Sequence, residues 1–128
     1  MGEHSVRVVK IGGSLFDFAE LKPRLSDWLT AQSPATNVLI AGGGPIVDSI
    51  RELDARHDLG ETAAHWLCVR AMSVTARLLV DLLDDVALVD ELDELKQLLV
   101  ARPTRTCVFD STPFLLNEEP DLPGTALP

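Results

Sequence analysis

Two short β-branched runs, each ending in a cluster of glycines, constrain this chain more than any other feature. Val6-Arg7-Val8-Val9-Lys10-Ile11 runs into Gly12-Gly13-Ser14, and Asn37-Val38-Leu39-Ile40-Ala41 runs into Gly42-Gly43-Gly44-Pro45. Branching at Cβ favours the pleated backbone and glycine interrupts it, so each run reads as a strand that stops at a tight turn. Pro45 suits the first position of a following helix, whose Ile46, Val47, Ile50 and Leu53 are expected to face inward. The first strand is followed by a helix that Asp17 can cap, with Phe18, Leu21, Leu25, Trp28 and Leu29 as its apolar stripe. Pro23 is tolerated only in a first turn, so this helix starts later than Asp17 or is kinked.

Beyond a break at His57-Asp58-Leu59-Gly60, a longer helix is expected from about Glu61, with Ala64, Leu67, Ala71, Val74, Leu78 and Leu82 as its stripe. Val86-Ala87-Leu88-Val89 reads as a third strand, Glu91 to Val100 as a short helix, and Thr106-Cys107-Val108-Phe109 as a fourth strand. The order β-α-β-α-α-β-α-β implies an α/β protein, with a parallel sheet covered by helices and its strand ends gathered on one edge. From Asn117 onward prolines and acidic residues predict an extended tail over 117–128, leaving 1–116 as the folded lobe.

Charge decides what such an edge can bind. The 128 residues carry a net charge of −9, which argues against nucleic acid or an anionic membrane as partner, because both need a basic face. No apolar run reaches the roughly 18 to 20 residues of a membrane span. Cys68 and Cys107 show no metal-ligand spacing and read as two buried free thiols, the usual state in a reducing cytoplasm. The acidic stretches Asp81 to Asp85 and Asp90 to Glu94 match no ligand pattern and read as solvated helix ends, so no metal site is expected.

The two glycine clusters lie at the carboxyl ends of strands one βαβ unit apart, where open α/β sheets bind ligands. Glycines there let backbone N–H groups face an anion, and two such turns could bracket a phosphate from opposite sides. Neither is a standard nucleotide fingerprint. Val47 stands where the dinucleotide motif needs its third glycine, and no GxxxxGK[ST] occurs. Lys10, two positions before Gly12 in an apolar strand, reads either as an edge-strand lysine in solvent or as a point charge for a phosphoryl group at the strand's end. Ser14 reads equally as a hydroxyl donor to that anion or as a helix cap. On the residues alone Arg51 reads as a solvated helix residue, and His65 as a helix cap or a core residue.

The segments Val8-Val9-Lys10-Ile11-Gly12-Gly13-Ser14-Leu15 and Val38-Leu39-Ile40-Ala41-Gly42-Gly43-Gly44-Pro45 together resemble the N-terminal part of the amino acid kinase superfamily. That group includes the acetylglutamate, glutamate, aspartate, uridylate and isopentenyl phosphate kinases. Arg51, Asp54, His65-Trp66-Leu67 and Met72 are similar to the pattern of aminomethylfuranyl-methyl phosphate kinases of methanofuran biosynthesis and their bacterial relatives. The resemblance implies a three-layer αβα sandwich with a mainly parallel sheet, whose first lobe holds a small-molecule acceptor and whose second holds ATP with Mg²⁺. It implies that Lys10 is catalytic and neutralises the transferring phosphoryl group. Gly12, Gly13 and Ser14 would then contact nucleotide phosphates, and Gly42, Gly43 and Gly44, with Arg51 and His65, the acceptor. It further implies a homo-oligomer, dimer or larger, and a C-terminal ATP lobe toward which the 117–128 tail leads. Without that lobe, the 128-residue chain is expected to be inactive. The competing expectation is a noncatalytic anion-binding or assembly module of the same fold. A plainer flavodoxin-like domain would betray itself by FMN absorbance.

Overall fold

A computed structural model describes residues 5–32, 34–101 and 105–118. Its centre is a four-stranded, all-parallel sheet built from β1 (Val6–Ile11), β2 (Thr36–Ala41), β3 (Ala87–Val89) and β4 (Thr106–Phe109), in the spatial order β1-β2-β4-β3. Among the described residues five α-helices connect and cover it: α1 (Leu21–Ala31), α2 (Gly44–His57), α3 (Glu61–Leu82), α4 (Leu92–Ala101) and α5 (Thr112–Glu118). This is the α/β architecture that the strand and helix order implies, and it is consistent with the three-layer αβα sandwich that the resemblance implies.

Successive strand residues point to opposite faces, so the sheet divides the core in two. On one face Ile11, Leu39, Ala41 and Val108 pack against Leu21 and Leu25 of α1 and Ala76 and Leu79 of α3. On the other, Val38, Val89 and Cys107 pack against Leu98 of α4. That second covering is partial. Val8, on β1, keeps 65% of its surface exposed, whereas Leu39 and Val108 keep none. Near the amino ends of the strands a polar ladder crosses the sheet in register. Arg7 Nη1 donates to Asn37 Oδ1 at 2.9 Å, and Asn37 Nδ2 donates to Thr106 Oγ1 at 3.3 Å. These bonds satisfy an amide that is only 6% exposed and would otherwise carry a desolvation cost of about 1–3 kcal/mol.

The helices depart from the sequence expectations in instructive ways. A 3-10 turn over Gly13–Asp17 follows β1, and α1 begins only at Leu21, which puts Pro23 in the first turn where its missing N–H is harmless. Asp17 therefore does not cap α1. Glu20 holds that place without a side-chain cap bond, and Phe18 and Trp28 remain 46% and 42% exposed rather than joining the stripe.

Helix α2 buries no residue. Ile46 and Leu53, expected inside, stay exposed, because α2 rests on α3 and on the 3-10 turn instead of the sheet. On α3 the buried residues are Val69, Ala71, Thr75, Ala76 and Leu79, while Leu67, Val74 and Leu78 of the expected stripe face outward. The helix is apolar on several sides, and the face that meets the sheet is offset from the one its leucines suggest.

The break between α2 and α3 falls where expected. Asp58 adopts φ 53° and Gly60 φ 95°, and Asp54 Oδ1 accepts the Gly60 amide at 3.1 Å. At the other end, Asn117 and Glu118 close α5 rather than opening an extended tail; the rest of the expected tail, 119–128, lies outside the described residues. Among the described residues no helix is long and apolar enough to cross a membrane.

Candidate functional site

Parallel pairing of β1 with β2 sets Ile11 opposite Ala41, so the two glycine turns leave the sheet side by side. They do more than neighbour each other. The Gly42 amide donates to Ile11 O at 2.9 Å, and a Cβ on Gly13 would stand 2.9 Å from Gly44 N and 3.0 Å from Gly44 Cα. Gly44 has φ +63°, a left-handed conformation that admits few other residues. The turns touch backbone to backbone, so an anion cannot lie between Gly13 and Gly44. The bracketing expected from the sequence is corrected accordingly. Among the described residues, the turn hydrogen bonds do not use the amides of Gly12, Gly13, Gly43 or Gly44 as donors.

Helix α3 pins this edge. Thr75, 1% exposed, donates from Oγ1 to Gly42 O at 2.7 Å. Asp110, the residue after β4, is 2% exposed. It accepts Ser73 Oγ at 2.6 Å and the Thr112 amide at 3.0 Å, and Thr112 Oγ1 donates to Val69 O at 3.1 Å. Two residues of α3 are thus tied to the β4–α5 junction by hydrogen bonds that also satisfy a buried carboxylate.

Between this edge and the helices lies a cleft of about 390 Å³ lined by Lys10, Ile40, Ala41, Gly42, Gly43, Val47, Arg51, His65, Cys68, Val69 and Met72. Strands β1 and β2 supply the floor, and α2 and α3 the walls. Of the site residues expected from the sequence, Lys10, Gly42, Gly43, Arg51 and His65 meet here, although 55 positions separate Lys10 from His65. Gly12, Gly13, Ser14 and Gly44 do not line it. Gly13 and Gly44 serve the contact between the turns, and Ser14 is exposed on the 3-10 turn.

The three basic side chains differ in setting. Lys10 is exposed and has no ion-pair partner among the described residues. Arg51 Nη1 lies 3.9 Å from Asp48 Oδ1, with both side chains 73% exposed, so solvent screening leaves that pair weak. His65 is half-buried in the first turns of α3, its ring 4.9 Å from that of Trp66 in an edge-to-face arrangement. It is not a helix cap, since Gly60 occupies that position.

Sequence reasoning missed Thr75, Asp110 and the lining residue Cys68. Cys68 lies one helical step beyond His65, a spacing that puts both on one face, and Asp110 sits where a strand of a parallel sheet ends. The expectation of two buried thiols holds for Cys107 alone. Both cysteines are free, but Cys68 is only half-buried. Burial pushes the Cys107 thiol above its ordinary value, with Arg105 opposing the shift.

A second cavity, about 470 Å³, is lined by Ser26, Thr30, Asp84, Asp85, Arg105 and Thr106 among others. It is larger but lies at the amino edge of the sheet, away from the strand ends at which parallel sheets bind ligands. Among the described residues no group of three His, Cys, Asp or Glu side chains could hold a metal ion. No family model matches the chain, and no curated protein matches it.

Proposed function

We propose that the chain is the acceptor-side lobe of an ATP-dependent small-molecule kinase, a cytoplasmic enzyme of the amino acid kinase type. The single observation that carries this reading is the convergence of Lys10, Gly42, Gly43, Arg51 and His65 on one cleft at the carboxyl ends of β1 and β2. In a protein of net charge −9, three basic groups gathered beside glycine backbone make a local anion site that the overall field opposes.

The chemistry asked of such a site is positioning and charge neutralisation rather than covalent catalysis. Lys10 projects from the end of β1 and neutralises the phosphoryl group as it transfers. Gly42 and Gly43 let the acceptor approach the β2 backbone, and Arg51 and His65 hold its anionic end from the two helical walls. Among the described residues no cluster of side chains would hold Mg²⁺; the ion belongs with the phosphates of ATP, which is a substrate here.

The test is ATP-dependent phosphoryl transfer by the intact gene product, with small phosphomonoesters and carboxylates as acceptors. Lys10→Ala is expected to lower kcat by about 10²-fold or more, with the fold intact by circular dichroism. Unchanged turnover removes Lys10 from the chemistry. One observation favours a second reading, a noncatalytic anion-binding module: Gly12, Gly13 and Ser14, the nucleotide-side residues, lie outside the cleft. Calorimetry on the intact gene product separates the two, since binding of inorganic phosphate without binding of ATP-Mg favours the module.

A further inference from the structure

The larger cavity, about 470 Å³, lies at the amino edge of the sheet, between α1, the bend that leads from α3 into β3, and the start of β4. Its charged lining residues are Asp84, Asp85 and Arg105. Ala87 pairs with Cys107, and that register, continued back along both strands, brings the bend at Asp84 and Asp85 beside Arg105. No ion pair joins them among the described residues, so opposite charges face one cavity unjoined. Hydroxyls are open to a ligand as well. Ser26 Oγ has no hydrogen-bond partner among the described residues, and Thr106 Oγ1 accepts from Asn37 Nδ2 with its own proton still to donate. Leu29, Leu83 and Val86 add an apolar surface to the same cavity.

We infer that this cavity is a second ligand site and takes a small zwitterion with an aliphatic body, its ammonium toward Asp84 and Asp85 and its carboxylate toward Arg105. The two signs select that class. A simple cation meets Arg105, a simple anion meets the paired carboxylates, and an uncharged molecule leaves all of these groups to water. A ligand with both charges answers both sides through charge-assisted hydrogen bonds, while its body covers Leu29, Leu83 and Val86. The balance between the two ends is uneven. Asp27 on α1 and Asp81 on α3 do not line the cavity, but they belong to elements that do, and the chain as a whole carries a net charge of −9. The surrounding field therefore favours the ammonium and opposes the carboxylate, which Arg105 holds alone. Asp84, Asp85 and Arg105 are all exposed, so solvent screens each contact and the binding is weak. The site shares no lining residue with the cleft at the carboxyl ends of β1 and β2, so it stands or falls independently of the kinase reading.

The experiment is an NMR titration of the isotope-labelled intact gene product with L-leucine, with isoamylamine, which is leucine without its carboxylate, and with isocaproate, which is leucine without its ammonium. Leucine is expected to saturate with a dissociation constant of about 1 mM or below, shifting the amides of Ser26, Asp85 and Arg105 and not those of Gly42 and Gly43. Isoamylamine is expected to bind about threefold more weakly, and isocaproate, whose lone carboxylate the field opposes, about tenfold more weakly. Arg105→Gln is expected to erase the gap between leucine and isoamylamine. Asp85→Asn, which keeps a side chain that tolerates the φ of 58° found there, is expected to narrow the gap between leucine and isocaproate about twofold or more. A merely structural role for either residue would weaken all probes alike. Failure of leucine to saturate by about 10 mM overturns the inference, as does equal or tighter binding of isoamylamine or isocaproate, or shifts confined to the cleft at the other edge. If a variant unfolds, the wild-type comparison still decides.

Discussion

Replacing Gly13 by alanine tests whether the two glycine turns are built for contact with each other. The new Cβ would lie 2.9 Å from Gly44 N and 3.0 Å from Gly44 Cα, closer than unstrained atoms approach. The obstruction is backbone, not a side chain that can rotate away. Gly44 cannot yield cheaply, because its φ of +63° belongs to a tight turn and because the neighbouring Gly42 carbonyl is held by Thr75 Oγ1 at 2.7 Å. Overpacking of this kind costs about 1–3 kcal/mol. Gly12→Ala is the control one residue away: a Cβ there meets nothing within 4 Å, and its φ of −65° and ψ of 152° are open to any residue. Its loss of unfolded-state freedom is expected to be neutral or stabilising by up to about 1 kcal/mol. Urea unfolding reads the difference. With a slope of about 1–3 kcal/mol per molar urea, a 2 kcal/mol loss moves the midpoint down by about 1 M at unchanged slope. Equal midpoints for the two variants would refute the idea that the turns are in direct contact.

Leu79→Ala, at a site with no exposure at the centre of the larger core, is expected to cost about 2–5 kcal/mol by chemical denaturation; a loss under 1 kcal/mol would place α3 differently on the sheet. Asp110→Ala orphans the Ser73 hydroxyl and the Thr112 amide and is expected to cost about 1–3 kcal/mol, with hydrogen exchange speeding up in α5 first. Because the Cys107 thiol is raised by burial, the unfolded chain ionises before the folded one. Stability from this group is therefore complete below the ordinary thiol value and is lost as pH rises through the folded one. Urea midpoints taken at pH 7 and pH 10 should fall further in the wild type than in Cys107→Ala, and equal falls would contradict the assignment. In the native protein a thiol reagent should modify Cys68 rapidly and Cys107 only on unfolding.

Local sequence was enough for the strands, the break at Asp58 to Gly60, the length of α3 and the α/β order, because each rests on features that act within a few residues. Branched Cβ atoms stiffen a strand, glycine and proline interrupt it, and the chain between two parallel strands must cross over as a helix. The pairing of the glycine turns was legible for the same reason. So were five of the cleft residues, although Arg51 and His65 rested on resemblance and on residue chemistry more than on pattern.

What the tertiary structure decided are choices between surfaces that look alike in sequence. Helix α3 carries leucine, valine and alanine on several sides, and only the sheet beneath it selects Val69, Thr75, Ala76 and Leu79 for burial over Leu67, Val74 and Leu78. Helix α2 has an apolar stripe, yet it finds α3 and the 3-10 turn as neighbours instead of the sheet, so nothing on it is buried. The division of labour among the glycines, with Gly13 and Gly44 spent on backbone contact and Gly42 and Gly43 facing the cleft, depends on distances between segments 30 residues apart. Asp110 makes the same point. A lone acid after a short strand reads as an ordinary turn until Ser73 and the Thr112 amide close around it. Sequence determined which elements form and which edge of the sheet bears the glycines and Lys10, because those are local energies. Which of those residues share a cleft was left to packing, since that depends on where helices meet once the chain has folded.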